Sequence, residues 1–350
     1  MNHKFPYKWN LADGYPADGI ERHKAKVFGT FICGGGSTMG YKLAGYEHLG
    51  GVEIDRAVAE VYKENHSPKY LFNEDIRDFR QRQDLPDELF QLDILDGSPP
   101  CSSFSMAGNR EKDWSKKKVF REGQTSQVLD DLFFEYIALA KRLQPKIVLA
   151  ENVKGLIQGN AKAYVKKIYE AFQDAGYKAQ LFLLNAASMG VPQKRERVFF
   201  IAQRNGLGLP KLELNFNEES IPFSRVEEKG QGKEITGKMR LLWNKKLPGE
   251  KNLAAACERE FNQRAYFGTK IQSANDVPFT LIASDSSPIV KSNEPLELSD
   301  REVIQIGTFP LDYNFKNLKA KYLIGMSVPP VMTAQISHSI YTQWIKRIDG

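Results

Sequence analysis

Three polar clusters in this chain follow or precede apolar runs, and each carries a side chain that can take part in bond making. The first is Asp96-Gly97-Ser98-Pro99-Pro100-Cys101, directly after the run 92–95. A thiol held in such a turn can, as thiolate, act as a nucleophile. The second is Glu151-Asn152-Val153, after the run 147–150, and it offers a carboxyl group that can hold or donate a proton. The third, Gln193-Lys194-Arg195-Glu196-Arg197, precedes the run 198–202 and supplies guanidinium groups able to stabilise charge developing on an oxygen. Taken singly, each has an ordinary reading. Cys101 is then a small buried turn residue, Glu151-Asn152 a helix cap and 193–197 a polar loop. Together they place a nucleophile, a proton carrier and a cation at successive strand ends.

A fourth cluster, Phe31-Ile32-Cys33-Gly34-Gly35-Gly36-Ser37, lies between an apolar run and a helical stretch reaching Leu43. Glycines at a strand-to-helix turn let the backbone approach a ligand at the helix N-terminus. Glu53, at the end of the next strand, is placed to accept hydrogen bonds from ribose hydroxyls. The spacing is not Gly-x-Gly-x-x-Gly, and such a turn serves NAD, FAD and S-adenosylmethionine alike.

These clusters need a scaffold that brings strand ends together. From Lys26 to about Ala202 short apolar strands alternate with helical stretches, which predicts an α/β fold with a doubly wound, mostly parallel, Rossmann-like sheet. Strands are expected at 27–31, 51–54, 92–95, 147–150, 178–184 and 198–202. Val128, Leu132, Phe133, Tyr136, Ile137 and Leu139 recur at helical spacing until Gln144-Pro145 stops the helix. Beyond 205 the alternation fails. The expected organisation is an N-terminal arm at 1–25, a catalytic domain of 26–205 plus 316–350, and a smaller irregular domain with its hinge at 206–315.

The chain has 350 residues and a formal net charge of +6, which permits a polyanionic partner without demanding one. Its cysteines, Cys33, Cys101 and Cys257, form no disulfide framework or paired metal-ligand spacing, so a reducing, intracellular setting and no metal site are expected. Neither a signal peptide nor a membrane-spanning apolar run is recognisable.

The Pro-Cys, Glu-Asn-Val and Gln-x-Arg-x-Arg blocks, in this order, resemble those of the DNA cytosine-C5 methyltransferases of the bacterial modification type. Phe31, Gly35 and Gly36 match the family's Phe-x-Gly-x-Gly-Gly block, and Ile324-Gly325-Met326-Ser327-Val328-Pro329-Pro330 is similar to its closing Gly-Asn-Ser-Val-Pro-Pro block. Three positions depart from the pattern: Cys33 stands for the first Gly, Ser102 for the Gln after the thiol, and Met326 for the Asn. The resemblance implies S-adenosyl-L-methionine as cofactor and S-adenosyl-L-homocysteine as product, with no metal. By position, it places Phe31 and Ile54 on the adenine, Glu53 on the ribose, and Asp75 with Ile76 at the adenine edge. Pro100 and Leu132 become further cofactor contacts, and Ser327 lines the methionine part.

The implied reaction begins with Cys101 adding to carbon 6 of cytosine, which makes carbon 5 nucleophilic toward the methyl group. Glu151 then serves N3 and N4 of the ring, Arg197 serves O2, and Arg195 supports the same site. The target base must leave the duplex stack first. The basic stretch Arg110, Lys112, Lys116, Lys117, Lys118 and Arg121, with Trp114, is expected to close as a lid on phosphates. Residues 206–315, most basic around Lys233, Lys238, Arg240, Lys245, Lys246 and Lys251 with Trp243, are expected to read double-stranded DNA. The resemblance further implies a monomer with a cognate restriction endonuclease acting separately, or an orphan modification enzyme. An RNA cytosine methyltransferase on the same scaffold, an idle DNA-binding regulator and, more remotely, a NAD-dependent oxidoreductase are the competing readings.

Overall fold

A computed structural model describes residues 3–100, 131–158, 162–284 and 286–349. The chain divides into two compact units. The sheet unit comprises Tyr15–Asn185, Glu196–Asn215 and Thr333–Gly350, and the loop-rich unit comprises Met1–Gly14, Ala186–Arg195 and Phe216–Met332.

The sheet unit is built on seven strands: β1 (Lys26–Thr30), β2 (Glu47–Val52), β3 (Tyr70–Phe72), β4 (Ile94–Gly97), β5 (Ile147–Val153), β6 (Tyr177–Asn185) and β7 (Glu196–Arg204). Their order is β3-β2-β1-β4-β5-β7-β6, and all pairings are parallel except those of β7 with β5 and β6. The exception has a simple cause: only residues 186–195 connect β6 to β7, too few for the crossover that parallel neighbours require. The expected strands are all present, and β3 is added to them. It is short and half-buried, so it lacked the apolar run that marks the others.

Helices α1 (Gly36–Leu43), α2 (Arg56–His66), α3 (Ile76–Gln81), α4 (Leu132–Leu143) and α5 (Lys162–Asp174) connect the strands. Local chemistry fixes their ends. The Asp55 carboxylate caps α2 by accepting from the N–H groups of Ala57 and Val58, and Gln144 turns left-handed after α4, ahead of Pro145. A core that includes Phe28, Phe79, Phe133, Tyr136, Phe172 and Phe200 packs between sheet and helices. Asp93, just before β4, accepts the Lys26 N–H at 2.7 Å and pairs with Lys146 at 2.7 Å, bracing the strand that leads toward Cys101.

The loop-rich unit contains α6 (Gly237–Asn244), α7 (Ala254–Phe261), the parallel pair β8 (Lys270–Gln272) and β9 (Ile289–Lys291), α8 (Asp300–Ile306) and α9 (Ala320–Met326). Its core joins Ile235, Leu242, Leu253, Cys257, Ile271 and Val290. Lys291, fully buried, pairs with buried Glu302 at 2.7 Å and donates to the carbonyls of Glu228 and Gln231. A capping box between Ser299 and Glu302 starts α8.

Residues 3–14 pack into the loop-rich unit: Phe5 and Trp9 are buried, the Trp9 indole donates to the Thr308 carbonyl, and Asp312 accepts from the N–H groups of Leu11 and Ala12. At the other end, α10 (Pro330–Ile340) carries the chain into the sheet unit, where Ser337 accepts from the Tyr46 hydroxyl at 2.8 Å.

Candidate active site

The carboxyl ends of β4 and β5 lie side by side, with Asp96 beside Leu149 and Gly97 beside Ala150. On the far side of β5, β7 runs antiparallel and sets Phe199 opposite Glu151 and Arg197 opposite Val153. Because strand side chains alternate, Asp96, Glu151 and Arg197 all leave the same face of the sheet. Glu151 and Arg197 are diagonal neighbours on it. Arg197 Nε stands 2.9 Å from Glu151 Oε1, in a pair whose side chains are only 15% and 13% exposed. Burial pulls the guanidinium below its ordinary range, while the Glu151 charge works against that.

Asn152 faces the other way and ties the two strand ends together. Its Nδ2 donates to the Pro99 carbonyl at 3.0 Å and its Oδ1 accepts from Val153 at 2.9 Å. Pro100 is half-buried at this edge. Cys101, Ser102 and the basic stretch 110–121 lie outside the described residues.

The glycine turn follows β1. Phe31, Cys33 and Gly35 all adopt positive φ, at 53°, 47° and 74°. Gly35 has no alternative, since a Cβ there would run into the imidazole of His66. Gly36 opens α1. The turn is tied to Glu53: the Cys33 N–H donates to Oε2 at 3.0 Å, and Asp55 N–H donates to Oε1 at 2.9 Å. Burial nevertheless pushes the Glu53 carboxyl up to about 7 against those two hydrogen bonds. Ile54 is half-buried, and the Asn73 side-chain amide donates to the carbonyls of Glu53 and Ile54, which ties the ends of β2 and β3.

Asp75 caps α3 by accepting from Arg77 N–H at 2.8 Å, and its other oxygen meets Arg77 Nη1 at 3.0 Å. Arg77 reaches on to Asp131, the residue before α4, at 2.6 Å. Ile76 and Leu132 are buried in the core at the starts of α3 and α4, while Phe31 packs half-buried against the same core.

Two expected site residues belong to the loop-rich unit. Arg195, read from sequence as an auxiliary of the catalytic group, has a buried guanidinium that donates to the carbonyls of Leu281, Gly325 and Ser327 at 2.9 to 3.0 Å. That is the work of a clamp on backbone, and a role for Arg195 in support of the site would act through these carbonyls. Ser327 is buried and its hydroxyl donates to Leu323 O at 2.8 Å, closing the end of α9.

Sequence reasoning gave Asp96 no role. It is 5% exposed, accepts from the Tyr41 hydroxyl at 3.2 Å, and is pushed up to about 7, chiefly by burial. The available signal was an acid inside an otherwise apolar strand.

The description "C-5 cytosine-specific DNA methylase" fits residues 26–342. The chain belongs to that family. Among relatives of this methylase, Type II methyltransferase M.FnuDI of Fusobacterium nucleatum is 36% identical over 204 residues, covering 58% of this chain and 53% of its own. Type II methyltransferase M.NgoPII of Neisseria gonorrhoeae is 28% identical over 355 residues, covering 90% of this chain and 95% of its own. The chain therefore spans about half the length of the first and nearly all of the second. A prophage-encoded DNA modification methyltransferase from E. coli shares the fold at a TM-score of 0.66 and 18% identity, over 91% of this chain and 99% of its own.

Proposed function

We propose that this methylase transfers a methyl group to carbon 5 of a cytosine extruded from double-stranded DNA, as a sequence-specific modification enzyme. The buried Glu151–Arg197 pair at the ends of β5 and β7 carries the reading. An acid and a guanidinium held 2.9 Å apart can be shared by the N3 and O2 edge of one pyrimidine. Cys101 follows Pro100 at the neighbouring strand end and supplies the thiolate that bonds to carbon 6. As that bond forms, Glu151 supplies a proton or hydrogen bond at N3, and Arg197 offsets charge at O2. Carbon 5, made nucleophilic by that bond, takes the methyl group; a base then removes its proton, and the thiolate leaves by elimination.

The turn after β1 fits a nucleoside. Its left-handed backbone opens α1, Gly35 leaves no room for a side chain, and a buried carboxylate stands beside it. Bound S-adenosyl-L-methionine supplies the activated methyl group. Phe31, Ile54 and Ile76 are assigned to its adenine, Asp75 to the adenine edge and Glu53 to the ribose hydroxyls. Pro100, Leu132 and Ser327 are assigned as further contacts. Recognition of the DNA is assigned to the loop-rich unit, where Lys233, Lys238 and Lys245 are exposed. Among the described residues, no helix is long and apolar enough to cross a membrane, and no group of three or more His, Cys, Asp or Glu could hold a metal ion.

The test uses DNA of mixed sequence substituted with 5-fluorocytosine, together with S-adenosyl-L-methionine. Fluorine cannot leave as a proton, so a denaturant-resistant adduct should form with the natural chain and be absent from Cys101→Ser. Adduct on tRNA but on no DNA would refute the DNA assignment. Bisulfite sequencing of DNA from a host expressing the enzyme then reports the target sequence.

A further inference from the structure

We infer that His66, the last residue of α2, is a positioning residue for the glycine turn: its imidazole fixes the Gly34–Gly35 peptide in the orientation that receives S-adenosyl-L-methionine. The inference rests on the turn after β1 binding that cofactor. His66 Nε2 lies 3.3 Å from the Gly34 carbonyl, which can only accept, so this nitrogen carries the proton. The imidazole is buried and stays neutral, because burial, with the Lys42 charge beside it, pulls it down to about 3. The residue is held in place from both α1 and α2. Its ring packs on that of Tyr62 at 4.5 Å between centroids, the Tyr62 hydroxyl meets that of Thr38 at 3.0 Å, and the Lys42 ammonium donates to the His66 carbonyl at 3.2 Å.

The neighbouring glycines make such a brace matter. A peptide between two glycines can turn over by about 180°, because neither residue has a Cβ to forbid the new angles. Gly35 stands at φ 74°, and turning over the peptide before it would carry that angle to a negative value that glycine adopts as readily. Two hydrogen bonds oppose the movement: the Gly35 N–H donates to the Ile32 carbonyl at 2.9 Å, and the Gly34 carbonyl accepts from His66. The same imidazole fills the space that a Cβ at Gly35 would need, so ring and glycine fit as a pair. Without the imidazole donor one of the two bonds is lost, and the turned-over form gains population at the expense of the form that binds. Apparent affinity for the cofactor falls with that population, whereas the chemistry after binding is untouched.

The experiment titrates S-adenosyl-L-homocysteine into the full chain without DNA, by isothermal calorimetry, beside thermal melts. His66→Leu fills the site without a donor and should weaken binding about tenfold. His66→Gln sets an amide nitrogen as many bonds from Cβ as Nε2 is, and should stay within about threefold of the natural chain. Tyr62→Phe removes the hydroxyl that Thr38 meets but leaves the contact of His66 with Gly34, so it should lower the melting temperature and leave the affinity unchanged. In steady state with unmethylated phage DNA of mixed sequence, H66L should raise KM for S-adenosyl-L-methionine about tenfold at constant kcat. If H66L does not fold, His66→Asn carries the test: its amide falls one bond short of Gly34, and it should bind about tenfold more weakly than H66Q. H66Q binding as weakly as H66L overturns the inference, as do equal affinities of H66N and H66Q, or a Y62F that loses affinity in step with its melting temperature. A natural chain that does not bind S-adenosyl-L-homocysteine overturns the reading of the turn itself, whereas natural affinity retained in H66L overturns the role of His66 alone.

Discussion

Glu53 should make the sheet unit less stable in neutral solution than a neutral side chain of the same shape would. Its carboxyl is buried and pushed from 4.5 to about 7. Below 4.5 it is protonated in both folded and unfolded chains, and its contribution to stability is fully present. As pH rises the unfolded chain releases its proton first, and that stability is lost by the time pH passes about 7. At about 1.4 kcal/mol per pH unit, the loss is about 3 kcal/mol. Glu53→Gln abolishes this dependence. It also carries a fixed penalty, because Gln can accept from only one of the Cys33 and Asp55 N–H groups and turns its own NH2 toward the other. That penalty is about 1 kcal/mol at every pH. The variant should therefore be the less stable protein near pH 4.5 and the more stable one near pH 8, a swing of about 3 kcal/mol. With about 2.1 cal/mol/K per residue, the swing corresponds to about 4 °C in Tm for a chain of 350 residues. Differential scanning calorimetry of both proteins at both pH values measures it. A constant offset between the two proteins would refute the argument. S-adenosyl-L-methionine at a hundred times its Kd should add about 2.7 kcal/mol to the natural protein and far less to the variant.

Three further outcomes are expected. Arg197→Lys keeps a charge but loses the planar fork beside Glu151, and should lower kcat by about a hundredfold with little change in DNA affinity, read by single-turnover methylation. Lys291→Met takes from the fully buried Glu302 carboxyl its cation, at a cost of about 3–5 kcal/mol in urea denaturation, and adding Glu302→Leu should not restore the stability, because the Glu228 and Ser299 N–H groups then lose their acceptor. Cys33→Gly relieves a left-handed backbone at φ 47° and should stabilise by about 1 kcal/mol in the same assay; an unchanged midpoint would show that the turn carries no strain there.

Much of the sheet was legible because its strands are buried on both faces and read as continuous apolar runs: Ile147, Val148 and Leu149 are at most 2% exposed. Strand β3 was not, because Tyr70, Leu71 and Phe72 are all half-buried and too short to show a period. The pairing of Glu151 with Arg197 was legible as two strand ends, but its diagonal register follows from the antiparallel turn-back of β7, which the sequence does not display. The partners of Arg195 were not legible: it sits two residues from Arg197, and sequence proximity could not reveal that its guanidinium is occupied by the carbonyls of Leu281, Gly325 and Ser327. Trp9 could not be read as core because its partner, the carbonyl of Thr308, lies far along the chain.

The chain passes from one unit to the other at 14–15, 185–186, 195–196, 215–216 and 332–333, so neither unit is a single stretch of sequence. That division sets a timetable for biosynthesis. By the time β5 has been made, the Tyr46 hydroxyl still awaits Ser337, and Pro210 will await the indole of Trp344. At roughly 5–20 residues per second, the interval from Val153 to Trp344 is on the order of ten to forty seconds. Throughout it, the surface that Trp344 and Ile345 finally cover stays open to water and to other nascent chains. A chain cut before 333 lacks the piece that closes its sheet unit.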